Sequence, residues 1–275
     1  MTFWNKARES DGICNRAVVV SVKDFDPGVE LTRRPGVGRD AQRLHRVLSR
    51  LGFKVDIHSD LTAEEIYTLF NTESKKTVDN CFIGIISTHG EEGVVFGADG
   101  NGVRLSRIFG FFDSPIMVDK TKLFLVQACR GHELDSGVET DAVSISDEDD
   151  NLSDYLSIPI NTAVMYATAP GYSAFMHPLG SVFIQTFCNL LEEDGGHDLE
   201  ITRLMTRLNY QVAYHFQARG KTLAGKKEMP CFATRLTKEE YPFRDSQRSA
   251  EELSGKLATT TLVEDSSKAR KRSIS

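Results

Sequence analysis

Four short, almost wholly apolar runs constrain this chain more than anything else in it: residues 16–22, 80–86, 122–126 and 162–167. Each has the length of a strand and no polar face, which predicts strands buried on both sides. Helical patterns lie between them. Residues 40–51 place Leu44, Val47, Leu48 and Leu51 on one face, with Asp40 as the expected cap and Gly52 as the stop. Residues 61–70 open with Thr62 and Glu65 in capping-box spacing. Residues 53–57 read as a further strand, 94–96 with Asp99-Gly100 as a small hairpin, and 105–112 as a short helix. Strand and helix in alternation predict an α/β protein with a parallel sheet and helices on both faces. A loop at 169–180, helices at 181–191 and 198–216, and a last strand at 231–236 complete the ordered pattern.

Two of the apolar runs end abruptly in residues that carry chemistry. The run at 122–126 stops at Gln127-Ala128-Cys129-Arg130-Gly131, and the run at 80–86 stops at Ser87-Thr88-His89-Gly90. Both sites fall at the rim of a parallel sheet, where such folds place their ligands. A thiol and an imidazole in one site are the elements of nucleophilic catalysis: the thiolate attacks, and the imidazole promotes its formation and then protonates the leaving group.

Charge and cysteines exclude other classes. A net charge of −6 over 275 residues argues against general nucleic-acid binding. No stretch approaches about 18 consecutive apolar residues, and residues 1–8 carry no apolar leader, so a cytoplasmic protein without membrane contact is expected. The five cysteines are odd in number and include no CxxC pair, which suggests neither a disulfide frame nor a zinc knuckle. Cys81, Cys188 and Cys231 read as small buried hydrophobes. His45, His58 and His197 read as surface or structural histidines. Residues 133–154 carry nine carboxylates and no Lys or Arg, the composition of a loosely held linker.

The Gln127 to Gly131 motif and the upstream His89-Gly90 resemble the caspases. Tyr166-Ala-Thr-Ala-Pro-Gly171 is similar to the start of that family's small subunit, and the segment from Lys226 to Glu240 to its final strand, which in caspases pairs with its copy in a second protomer. The resemblance implies a three-layer sandwich around a mostly parallel six-stranded sheet. It divides the chain into a short N-terminal peptide (1–14), a large subunit (15–141), an acidic linker (142–155), a small subunit (156–244) and a disordered tail (245–275), and the brief N-terminus is like that of the effector class. It implies that Cys129 is the nucleophile, that His89 is the acid/base, and that the backbone N–H groups of Gly90 and Cys129 form the oxyanion hole. No metal or cofactor is implied.

Caspases cleave after Asp, with two arginines and a glutamine around the substrate carboxylate. Arg34 matches the first arginine and Gln127 the glutamine. Phe175 stands for the family's apolar wall, and Met176 occupies the position of the second arginine. Asp141 and Asp150 are candidate cleavage sites in the linker. Two functions follow from the resemblance. One is an endopeptidase cutting protein substrates after Asp, activated from a zymogen by an upstream caspase and working as a dimer in apoptosis. The other, suggested by Met176, is a weak or inactive homologue that heterodimerises with an active caspase and regulates it.

Overall fold

The computed structural model describes residues 13–134, 157–219 and 223–244. Six strands form the central sheet: β1 (Arg16–Ser21), β2 (Lys54–Ser59), β3 (Cys81–Ser87), β7 (Thr121–Gln127), β8 (Thr162–Tyr166) and β11 (Cys231–Thr234). Their order is β11-β8-β7-β3-β1-β2. All neighbouring pairs are parallel except β11 with β8, which is antiparallel at the edge. The expected mostly parallel sheet is therefore borne out. Strands β1, β3, β7 and β8 are buried along their whole length, whereas the edge strand β2 has no fully buried residue.

The pleat sends alternate residues to two cores. Ala17, Val19, Ile83, Ile85, Leu123, Leu125, Ala163 and Met165 pack under α1 (Val37–Arg50), α4 (Val182–Glu192) and α5 (Ile201–His215). Val18, Val20, Phe82, Ile86, Phe124, Val126 and Val164 pack under α2 (Ala63–Glu73) and α3 (Leu105–Gly110). On this second face a β-carbon at Gly84 would lie 2.6 Å from the Phe124 ring, so glycine makes room for the aromatic cluster of Phe70, Phe82, Phe112 and Phe124. A small separate sheet, β4 (Gly90–Glu91), β5 (Val94–Phe96) and β6 (Gly102–Arg104), contains the predicted hairpin.

Several boundaries differ from the sequence expectation. The expected capping box of α2 is present, with Thr62 and Glu65 bonded reciprocally. Asp40, however, does not cap α1. The helix starts at Val37 behind Gly36, whose φ of 101° lies in the left-handed region that glycine reaches without strain. Asp40 instead sits in the first turn, 1% exposed, and accepts bonds from the Ser181 N–H at 2.9 Å and from Gln185 Nε2 at 2.6 Å. It thus ties α1 to the start of α4. Burial pushes its carboxyl above the usual carboxylate range. Removing it with Asp40→Ala leaves buried donors unpaired and is expected to cost about 1–3 kcal/mol, read as a lower denaturant midpoint with unchanged slope.

The helix expected from 198 begins at Ile201, because Glu200 caps it through the N–H groups of Thr202 and Arg203. The expected loop at 169–180 contains a two-stranded turn, β9 (Met176–His177) against β10 (Gly180–Ser181). The helix at 105–112 ends at Gly110. The acidic linker, Asp141, Asp150 and the tail from 245 lie outside the described residues.

Candidate active site

Register places the thiol and the imidazole. β3 and β7 run in parallel with Ile86 beside Val126 and Ser87 beside Gln127. His89 and Cys129 each follow two residues beyond those paired ends, so both emerge at the same edge. Ser21 at the end of β1 is level with Ser87, which brings the loop after β1, with Thr32 and Arg34, to that edge as well. The loop after β8 completes it, since Tyr166 is level with Val126. One cavity of about 190 Å³ is lined by Thr32, Arg34, His89, Gln127, Cys129 and Met176, with Ala174 at its border.

His89 is oriented by a backbone group. Its Nε2 lies 2.7 Å from the Thr32 carbonyl. A carbonyl only accepts, so Nε2 carries the proton and Nδ1 is left as the basic nitrogen of the neutral ring. Burial lowers the His89 pKa below its ordinary value, the Thr32 carbonyl opposes this, and Arg34 reinforces it. The ring is therefore a neutral base at physiological pH, and the Phe25 ring packs beside it at 5.4 Å. Sequence reasoning missed Thr32, because a backbone carbonyl has no side-chain signature.

The Cys129 sulfur meets the loop after β8. The Ala174 N–H is 3.4 Å from Sγ, and the Ala174 carbonyl is 3.8 Å away. That loop is stitched to the chain following the cysteine. Arg130 N–H donates to Tyr172 O and Gly171 N–H to Arg130 O; Glu133 N–H donates to Gly171 O and Ser173 N–H to Glu133 O. Gly131 allows this approach, since a β-carbon there would run into the Gly171 carbonyl. Gly90 pairs with Val95, and the bond from Phe96 N–H to His89 O makes that a non-hydrogen-bonded pair. The Gly90 N–H is thus not used by the ladder.

Two arginines line the cavity: Arg33, exposed and paired with Asp24, and Arg34. Arg34 is buried and donates to Val22 O at 3.0 Å and Ser87 Oγ at 3.3 Å. Desolvation lowers its pKa to about 10, opposed by Cys129 and Asp40, so it stays charged at neutral pH. Gln127 is buried beside it, and its Oε1 has no partner among the described residues. Met176 lines the same cavity. Phe175 is not among the residues lining that cavity; its ring packs on Phe216 at 5.2 Å, and its N–H donates to Glu228.

Cys231 also departs from expectation. It is only half-buried, and Arg130 Nη1 donates to its sulfur at 2.9 Å. Arg130 additionally bonds Glu92 at 2.8 Å and stacks over the Tyr166 ring. Cys231 therefore packs against the second core on one side and joins a polar cluster on the other.

The caspase-domain family model matches residues 14–241 of this chain. Caspase-3 of Mesocricetus auratus is 36% identical over 238 residues, covering 84% of this chain and 83% of that protein. Caspase-3 of Bos taurus is 35% identical over 238 residues, covering 84% of each. Caspase-7 of Gallus gallus is 33% identical over 236 residues, 82% of this chain and 76% of that protein. With the match running through every strand of the central sheet and through the loops that carry His89 and Cys129, the chain belongs to the caspase family of cysteine endopeptidases.

Proposed function

We propose that this protein is an apoptotic endopeptidase that cleaves protein substrates after aspartate, with Cys129 as nucleophile and His89 as acid/base. The observation that carries the reading is the single cavity shared by Cys129, His89, Arg34 and Gln127. Neutral His89 takes the thiol proton, and the thiolate attacks the scissile carbonyl. The Gly90 and Cys129 N–H groups receive the oxyanion, and the protonated ring then gives its proton to the leaving amine. Arg34 pairs with the substrate carboxylate. The test is a panel of tetrapeptides ending in Asp, Glu and uncharged residues. Preference for Asp is expected, and equal cleavage of the uncharged peptides would sink the assignment of Arg34.

Gly90→Ala probes the oxyanion site. A β-carbon at 90 would lie 2.8 Å from Val94 O, 2.9 Å from Ala128 Cβ and 3.1 Å from Cys129 O. The backbone must shift, and kcat is expected to fall about 10²–10³-fold with KM changed far less. Steady-state kinetics on a variant whose melting curve still shows a folded protein checks this.

The chain is made as a zymogen in this reading and is cut at Asp141 or Asp150 by an upstream caspase, separating a large part (15–141) from a small part (156–244). Pairing of β7 with β8 supports it, because the two parts share one sheet and stay joined after the cut. The antiparallel edge strand β11 supports a dimer, since its outer backbone groups are open to a second protomer. The free state of all five cysteines supports a reducing, cytoplasmic setting. Met176 in the carboxylate pocket favours the second reading, a weak homologue that regulates an active caspase as its heterodimer partner.

A further inference from the structure

The loop at 168–180 sets two features of the site at once, with Ala174 against the Cys129 sulfur and Met176 in the cavity. Phe175, between them, is held by one polar side chain. Its N–H donates to Glu228 Oε2 at 2.8 Å. Glu228 is 0% exposed, and its other oxygen, Oε1, has no partner among the described residues. No part of the mechanism above uses this carboxyl.

Among the described residues no cation acts on the Glu228 carboxyl. Within its own segment, Lys227 turns away and donates its Nζ to the Phe216 carbonyl at 3.0 Å. Phe216, at the end of α5, packs its ring on Phe175. Burial raises the carboxyl pKa to about 8, and the Phe175 N–H is the one group that pulls it back. An ionised carboxylate here would be buried with an unpaired oxygen, which is costly, whereas the neutral acid is tolerated.

We propose that Glu228 is the positioning residue of this loop: as a neutral acid it pins Phe175, keeping Ala174 on the Cys129 sulfur and Met176 in the cavity, and loss of its proton releases the loop. The sign follows from linkage. The pinned form holds a proton that the released form, with an ordinary carboxyl near 4.5, gives up. Release is therefore suppressed at acid pH, grows about tenfold per pH unit from roughly pH 5 to roughly pH 8, and then levels off. The consequence for catalysis rests on the reading of Cys129 as nucleophile, because the released loop uncovers its sulfur.

The experiment is amide hydrogen exchange on the full chain, following the segment 172–177 at several pH values with correction for intrinsic exchange, in wild type, Glu228→Gln and Glu228→Ala. Wild-type protection is expected to fall about a hundredfold between pH 6 and pH 8. Glu228→Gln, which keeps an acceptor but cannot ionise, is expected to stay protected and flat with pH. Glu228→Ala is expected to lose protection at every pH. Alkylation of Cys129 by iodoacetamide, taken as the ratio of wild type to Glu228→Gln at each pH, is expected to rise in step. A wild-type profile as flat as that of Glu228→Gln, or full protection in Glu228→Ala, overturns the proposal. Exchange needs no catalysis. A protein that cleaves no peptide yet shows the pH-dependent protection keeps the anchor and loses the peptidase reading.

Discussion

Cys129→Ala is expected to remove peptide cleavage, by on the order of 10⁴-fold or more, while leaving the melting temperature nearly unchanged. The separation of the two effects is the informative part. The Cys129 sulfur is half-buried and, among the described residues, its hydrogen bonds are with the Ala174 backbone, so deleting it opens no core cavity. Cys81 and Cys188 provide the contrast. Both are buried in the core between the sheet and α1, α4 and α5, and burial pushes both thiols up, Cys188 to about 12. Neither can supply a thiolate at neutral pH, so Cys→Ala at either position is expected to lower stability and spare activity. Kinetics and thermal melts on the three variants in parallel check this. Wild-type turnover by Cys129→Ala, or equal losses from all three, would remove Cys129 from the chemistry.

The architecture was legible because buried parallel strands write themselves as apolar runs. The runs at 16–22, 80–86, 122–126 and 162–167 all became strands of one sheet, and the two that stop at His89 and at Cys129 end level with each other. Three parts of the site were not legible, for different physical reasons. The Thr32 carbonyl that orients His89 and the Ala174 backbone on the thiol are main-chain groups, which any residue type provides. Glu228 follows two lysines in a polar stretch that gives no sign of burial, yet the fold buries it completely. Asp40 has the side chain of a cap, but the turn at Pro35-Gly36 starts the helix earlier, and the carboxyl serves a partner 141 residues away. The hairpin of β9 and β10 puts Met176 on the cavity lining, and the Phe175 ring rests on Phe216.

Met176→Arg is the second change with a large expected effect, and it acts in the direction of gain. The cavity has one buried guanidinium, Arg34, already depressed to about 10 by desolvation and tied to Val22 O and Ser87 Oγ. Position 176 faces the same cavity from β9, anchored by pairing with Ser181. A second guanidinium there adds a charge-assisted contact to a bound carboxylate, a contact whose removal from a buried pair typically costs about 2–5 kcal/mol. Cleavage of peptides ending in Asp is therefore expected to rise roughly 30- to several-thousand-fold in kcat/KM. The same substitution sets two cations close together in the free protein, so its melting temperature is expected to fall and to recover when an Asp-containing inhibitor binds. Peptides with an uncharged terminal residue provide the control, since they gain nothing from a second cation. An unchanged ratio of Asp to uncharged cleavage would mean that position 176 does not contact the substrate carboxylate.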